Sequence, residues 1–294
     1  MRLEGPSETL WEAYPEELRE LTIVVTELGS AEAAVVILAL FFWLTRRHDT
    51  TLVVTYALAG GFLILALKTY LEMPRPDVDP LIAGDRDDPY GFPSGHAYFA
   101  TVLYGGLLLT FDKFDRRDLV VGVGGLVVLI GLSRVVLRVH YLGDILVGGL
   151  LGVAVLVGMH RIIDGDLRRG FAIATVLGVG TLTLSIEGSP VQVLASDVVP
   201  ELWLICGLAV GGLLACGYVE RLPALRSRRE GAVVTAVGLA WIVAVIATGE
   251  VLAPEGGPIA GVLGAALLAG ILVIPAAVGR LELGILEPDT VQPS

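Results

Sequence analysis

The chain has 294 residues, of which 54% are hydrophobic and only 17% charged. A soluble domain carries about 25% charged residues, so the composition excludes an ordinary water-soluble enzyme, and the net charge of −11 argues against nucleic acid as a partner. The N-terminal stretch, with Glu4, Glu8, Glu12, Glu16 and Glu17, lacks the basic region that opens a signal peptide.

In chain order, Thr9 to Glu27 comes first and mixes Leu10, Trp11, Tyr14, Leu18 and Leu21 with acids. That pattern fits an amphipathic helix at a membrane interface or a short solvated arm. Nine apolar segments follow, at Leu28–Thr45, Thr51–Leu71, Ala97–Phe111, Leu119–Leu137, Ile145–Ile163, Phe171–Ile186, Leu202–Val219, Ala232–Leu252 and Ile259–Val278. Crossing a bilayer core takes roughly 20 apolar residues. The expected fold is therefore all-α, a polytopic transmembrane bundle of about nine helices. Residues 1–165 form its expected catalytic core and residues 166–294 a C-terminal four-helix membrane module. Gly148 and Gly152, like Gly207 and Gly211, are spaced four apart, as suits close helix packing in lipid. Cys206 and Cys216, about 15 Å apart on one helix, are too distant for a disulfide. Trp43 and Trp203 sit near segment ends and are expected to anchor the interface.

Basic residues fix the expected orientation. The connections after segments one, three, five, seven and nine hold 13 of the 20 Lys and Arg residues, from Arg46 and Arg47 to Arg280. Those after segments six and eight, Glu187–Glu201 and Ala253–Pro258, hold none. The N-terminus is thus expected outside and the C-terminus inside. His48 and His160 fall on the inner side and are expected to be surface residues. Lys68, Arg75, His96, Arg134, Arg138, His140 and Asp144 gather at the outer side. A charge at mid-membrane costs roughly 2.5–3.5 kcal/mol on the insertion scale, so such a group faces a wet cavity, a partner or the interface; Arg138 fits the last, as a helix-end charge snorkelling outward.

Three patterns occur in order: Lys68, six residues, then Arg75-Pro76; Pro93-Ser94-Gly95-His96; and Ser133-Arg134, five residues, His140, three residues, Asp144. Lys68, Arg75 and Arg134 supply cations of the kind that stabilise charge on a transferring phosphoryl group. Ser94 and Gly95 open a helix whose free N–H groups favour an anion, and Gly95 leaves room for its approach. If their stretch is helical, His140 and Asp144 share a face, and the carboxylate could orient the imidazole for attack on phosphorus. The aspartates 77, 79, 85, 87 and 88 lack regular ligand spacing and read as a solvated acidic loop. No His/Cys cluster indicates zinc, and neither a metal nor another cofactor is expected.

All eleven specified residues of these patterns match the three signatures of the type 2 phosphatidic acid phosphatase superfamily, which the chain resembles from about Lys68 to Asp144. The resemblance implies a hydrolase acting on a membrane lipid, either a lipid phosphate or a polyprenyl pyrophosphate, at the extracytoplasmic face. It implies that His140 becomes a phosphohistidine, supported by Asp144. His96 would protonate the leaving group and then activate water, while Lys68, Arg75, Ser94, Gly95 and Arg134 bind phosphate. The family core has six membrane helices, with its first signature after the third. Here two strong segments precede Lys68, and Thr9–Glu27 is the candidate stand-in for the missing one. The last four segments carry no second site and are expected to widen a lipid groove or support a homo-oligomer. Phosphotransfer to an alcohol is the nearest rival. An anion transporter fits less well, because the cations gather at one face, and an inert scaffold leaves the matched positions unexplained.

Overall fold

Backbone N–H and C=O groups find no water in a bilayer core, so an apolar run must satisfy them within itself, as a helix does. The computed structural model describes residues 2–82, 90–186, 195–222, 225–252 and 257–280, with the side chains of 184–186 and 195–201 outside that description. Asp85, Asp87 and Asp88 of the acidic loop lie outside the described residues, as do most of the Glu187–Glu201 connection and the C-terminal Glu287–Ser294.

Two short helices, α1 (Glu4–Ala13) and α2 (Arg19–Glu27), precede α3 (Ala31–Leu44) and α4 (Arg47–Leu71). Helix α5 (Gly95–Ala100) passes through one π-helical turn, Thr101–Gly105, into α6 (Gly106–Thr110). Then come α7 (Arg117–Val136), α8 (Leu142–Ile163), α9 (Leu167–Ile186), α10 (Ala195–Val219), α11 (Arg228–Leu252) and α12 (Gly257–Arg280). Among the described residues the fold is all-helical, apart from an isolated bridge between Pro74 and Tyr90.

Among the described residues, six helices are long and apolar enough to cross a membrane: α4, α7, α8, the Leu202–Val219 part of α10, α11 and α12. Helices α2 and α3, with the turn before α2, meet at 52° and together would make a seventh. The nine expected spans are thus not all of spanning length and character. The segment expected at Ala97–Phe111 is the α5–α6 helix, about 24 Å long at 1.5 Å per residue, against a hydrocarbon core of about 30 Å.

One apolar core joins α3 and α4 to α8, α9 and α10–α12. Both glycine pairs act as close-packing seams. A Cβ on Gly207 or Gly211 would lie 1.9 Å from the Gly261 carbonyl oxygen or 2.2 Å from that of Ala265, so α10 and α12 meet backbone to backbone. A Cβ on Gly148 would lie 2.4 Å from the Ser94 carbonyl oxygen, and one on Gly152 would lie 2.7 Å from Thr101, which brings α8 against the start of α5. Cys206 and Cys216 are buried free thiols.

Trp43 departs from expectation. It is fully buried, donates from Nε1 to the Ile271 carbonyl at 3.1 Å, and fills the notch left by Gly238. Its place near a helix end suits an interface anchor only while α11 and α12 are left out of view. Packed against them, it ties α3 to the C-terminal helices.

Candidate functional site

Because the helices alternate in direction, the C-terminal ends of α4 and α7 meet the N-terminal ends of α5 and α8. Lys68 lies in the last turn of α4 and Arg134 in the last turn of α7. Ser94 caps α5, accepting from the Ala97 N–H at 3.4 Å, and Asp144 is the third residue of α8. The expected site residues are thus collected at one end of the bundle. His48 and His160 lie at the other, in the first turn of α4 and the last turn of α8. His160 is exposed there, where its Nδ1 meets the Tyr56 hydroxyl at 3.1 Å, and His48 is half-buried beside Asp49.

Backbone hydrogen bonds knit the three segments together. The Ser94 N–H donates to the Asp144 carbonyl at 3.0 Å, and the Gly91 N–H donates to that of Met73 at 2.9 Å. Lys68 Nζ donates to the Tyr90 carbonyl at 3.1 Å, and Arg75 Nη1 to that of Val139 at 3.2 Å. Arg134 Nη1 donates to Thr26 Oγ1 at 3.3 Å, so α2 also contributes to the site. The Thr9–Glu27 stretch is held at two points to the segments around the site. Trp11 Nε1 reaches the Val135 carbonyl at 2.6 Å, and Arg19 Nε reaches that of Leu81 at 2.5 Å.

His140 and Asp144 come together by a route different from a shared helical face. Helix α7 ends at Val136, and Arg138 turns the chain with φ of 64°. His140 then lies in the break before α8, while Asp144 reaches back to accept from the Tyr141 N–H at 2.9 Å. That is one half of a capping box, and a carboxylate there also suits the helix dipole. His140 Nδ1 lies 3.5 Å from Asp144 Oδ2, which is ion-pair range. The contact falls short of hydrogen-bond geometry, and Nδ1 has no hydrogen-bond partner among the described residues.

Burial is severe: His140 is 1% exposed, Asp144 0%, Arg134 1% and Lys68 9%. His96 and Gly95 are only half-buried and form the open side. Burial first, then the charges of Arg134, Arg75, Lys68 and His96, holds the His140 imidazolium well below its ordinary range. Its imidazole is consequently neutral at neutral pH, the form in which a ring nitrogen is nucleophilic. A Cβ on Gly95 would meet nothing within 4 Å, so the backbone there borders open space.

Arg2 is the participant that sequence reasoning missed. Its Nε and Nη2 donate to the two carboxylate oxygens of Asp144 at 2.7 and 2.6 Å. Ser7, fully buried, accepts from the Leu142 N–H at 2.9 Å. Neither residue carries a sequence signal, since spacing rules act within an element and α1 meets α8 only in three dimensions.

The helices of spanning length define a multi-pass membrane protein, and its likeness to known proteins puts it in the phosphatase class. Residues 49–168 match the PAP2 superfamily. Phosphatidylglycerophosphatase B of Bacillus subtilis (strain 168) is 30% identical over 146 residues, which take in 46% of this chain and 70% of that relative. The chain belongs to the PAP2 superfamily, the type 2 phosphatidic acid phosphatases. No solved structure matches it.

Proposed function

We propose that this protein removes phosphate from a membrane lipid phosphate or polyprenyl pyrophosphate at the extracytoplasmic face, through a phosphohistidine on His140. The observation that carries this reading is the convergence on buried, neutral His140 of Lys68, Arg75, Arg134 and His96, all of whose charges act on it. A ring nitrogen of His140 attacks phosphorus while the bond from phosphorus to the lipid oxygen breaks, and His96 gives that oxygen its proton. In the second step His96 takes a proton from water. The water oxygen bonds to phosphorus, the P–N bond breaks, and inorganic phosphate leaves. Lys68, Arg75 and Arg134 hold the phosphoryl oxygens, with Arg suited to paired contacts. With the charge met by these side chains, the reaction is proposed to need no metal.

Charge supports this choice of face. The end opposite the site carries the Arg-rich connections that favour the cytoplasm, in keeping with a site and an N-terminus outside. Residues 166–294 are proposed to act as a packing module for the catalytic half. The relative's name makes phosphatidylglycerophosphate a natural first substrate to assay.

The test is phosphate release from a panel of lipid phosphates and polyprenyl pyrophosphates in detergent with EDTA. Release by wild type, with vanadate competing as a transition-state mimic, is the expected result. Phosphate appearing on an added alcohol acceptor in place of water would assign phosphotransfer instead, and a sharp loss in EDTA would defeat metal independence.

Gly95→Ala is expected to keep the wild-type unfolding temperature, since its methyl enters open space, while lowering turnover by about 10- to 100-fold as the phosphate loses its close approach. Full activity in that variant would move the phosphate away from the start of α5.

A further inference from the structure

Arg2 lies outside every motif, yet it contacts the segments that carry all three. Its Nη1 donates to the Pro74 carbonyl at 2.5 Å, next to Arg75. Its Nη2 stands where a Cβ on Gly91 would come within 2.8 Å, just ahead of Pro93. In the third segment it grips both oxygens of Asp144, lies 4.7 Å over the Tyr141 ring, and accepts from the Gly143 N–H at 2.9 Å through its own carbonyl.

A carboxylate with no exposure to solvent stays ionised only when a cation or several donors compensate it. Arg2 is that cation for Asp144, at 2.6 Å, and its two-pronged grip fixes the plane of the carboxylate as well as its charge. The Tyr141 N–H takes a further site on Oδ2, and the His140 ring stands 3.5 Å away on the same oxygen. The rotation of Asp144, and so the place where Oδ2 meets the imidazole, is set by Arg2.

We propose that Arg2 is a positioning residue for His140, acting through Asp144: it aims the carboxylate at Nδ1 and balances its charge, so that the imidazole is held in place to attack. The proposal rests on the phosphohistidine reading above. The groups facing His140 are Lys68 from α4, Arg75 from the following loop, His96 from α5, Arg134 from α7 and Asp144 from α8. Glu4 and Glu8 of α1 bear on the neighbouring Tyr141. Removing the positive charge of Arg2 leaves the negative charge of Asp144 uncompensated beside the ring, which favours imidazolium.

Two variants test this, Arg2→Met and Arg2→Lys, each with phosphate release against pH and with 13Cε1-histidine NMR titration, the His140 signal being assigned with His140→Gln. Arg2→Met is expected to lower kcat about 10- to 100-fold with KM within about twofold, to move the acid limb of the profile to higher pH, and to raise the pH at which His140 titrates. Arg2→Lys keeps the charge without the fork, so it is expected to restore the titration nearly to wild type but kcat only in part. Wild-type kcat and an unmoved titration in Arg2→Met would overturn the proposal, as would a rise in turnover, which would make the contact a restraint. If wild type neither releases phosphate nor passes it to an added alcohol, the phosphohistidine reading fails. The titration still decides on Arg2, with a shift in Arg2→Met supporting its hold on the pair and coincident curves refuting it.

Discussion

Replacing His140 with alanine is expected to reduce phosphate release by at least about 1,000-fold, the order of loss that follows removal of a nucleophile. A mere binding residue would cost far less. The ring sits in the break between α7 and α8, and neither helix depends on it for a hydrogen bond through Nδ1. The variant should therefore fold, with an unfolding temperature lowered by the cavity that the buried imidazole leaves. Rapid quenching of wild type with labelled substrate should leave an acid-labile phosphoryl group on the peptide that contains His140. The same quench of the alanine variant should leave none. Substantial turnover by His140→Ala would remove the nucleophile assignment. A label that persists in it would send the search to His96.

The second large effect is expected at Arg134, and there activity and stability should part. Arg134 is almost completely buried, and it shares its surroundings with Lys68, Arg75 and His96. Burying a cation costs desolvation, and like charges gathered around one ring repel. Both costs would fall when an anionic phosphate enters among these cations. Arg134→Met keeps much of the volume and removes the charge. It should lose about 100- to 1,000-fold in kcat, as loss of a charge-stabilising donor does, while melting at or above the wild-type temperature. A variant that melts lower yet keeps its activity would recast Arg134 as a structural residue joining α7 to Thr26 of α2.

The motifs were legible because phosphate chemistry demands particular side chains and short connections hold them at set spacings. Lys68, Arg75, Ser94, Gly95, His96, Arg134, His140 and Asp144 all converge at one end of the bundle, as their positions at segment ends imply. The four-residue spacing of His140 and Asp144 pointed to proximity but not to its cause. A helical face was the simplest way to satisfy the interval, and the chain instead uses a break and an N-terminal carboxylate. Arg2 was illegible for a different reason. It is a lone cation before a run of glutamates, and its partner lies 142 residues away. The fate of Trp43 was hidden likewise, since an aromatic residue near a segment end looks the same whether lipid or a later helix covers it. Helicity itself was easy to read, because lipid leaves an apolar run little choice. The number of spans was harder, as the short α5–α6 helix shows.

That helix carries a wide turn at Thr101–Gly105, between the end that holds Ser94 and His96 and the end that packs Leu108 into the bundle. A π turn uses one residue more than the α turn it replaces, and each residue of a regular helix rotates the chain by about 100°. The wide turn therefore absorbs the extra residue, and the two ends keep the phase they would have in a regular helix one residue shorter. Winding the same residues as unbroken α-helix would swing His96 about 100° around the axis relative to Leu108. Such a chain would still contain every motif residue in order, and the imidazole of His96 would face the wrong way.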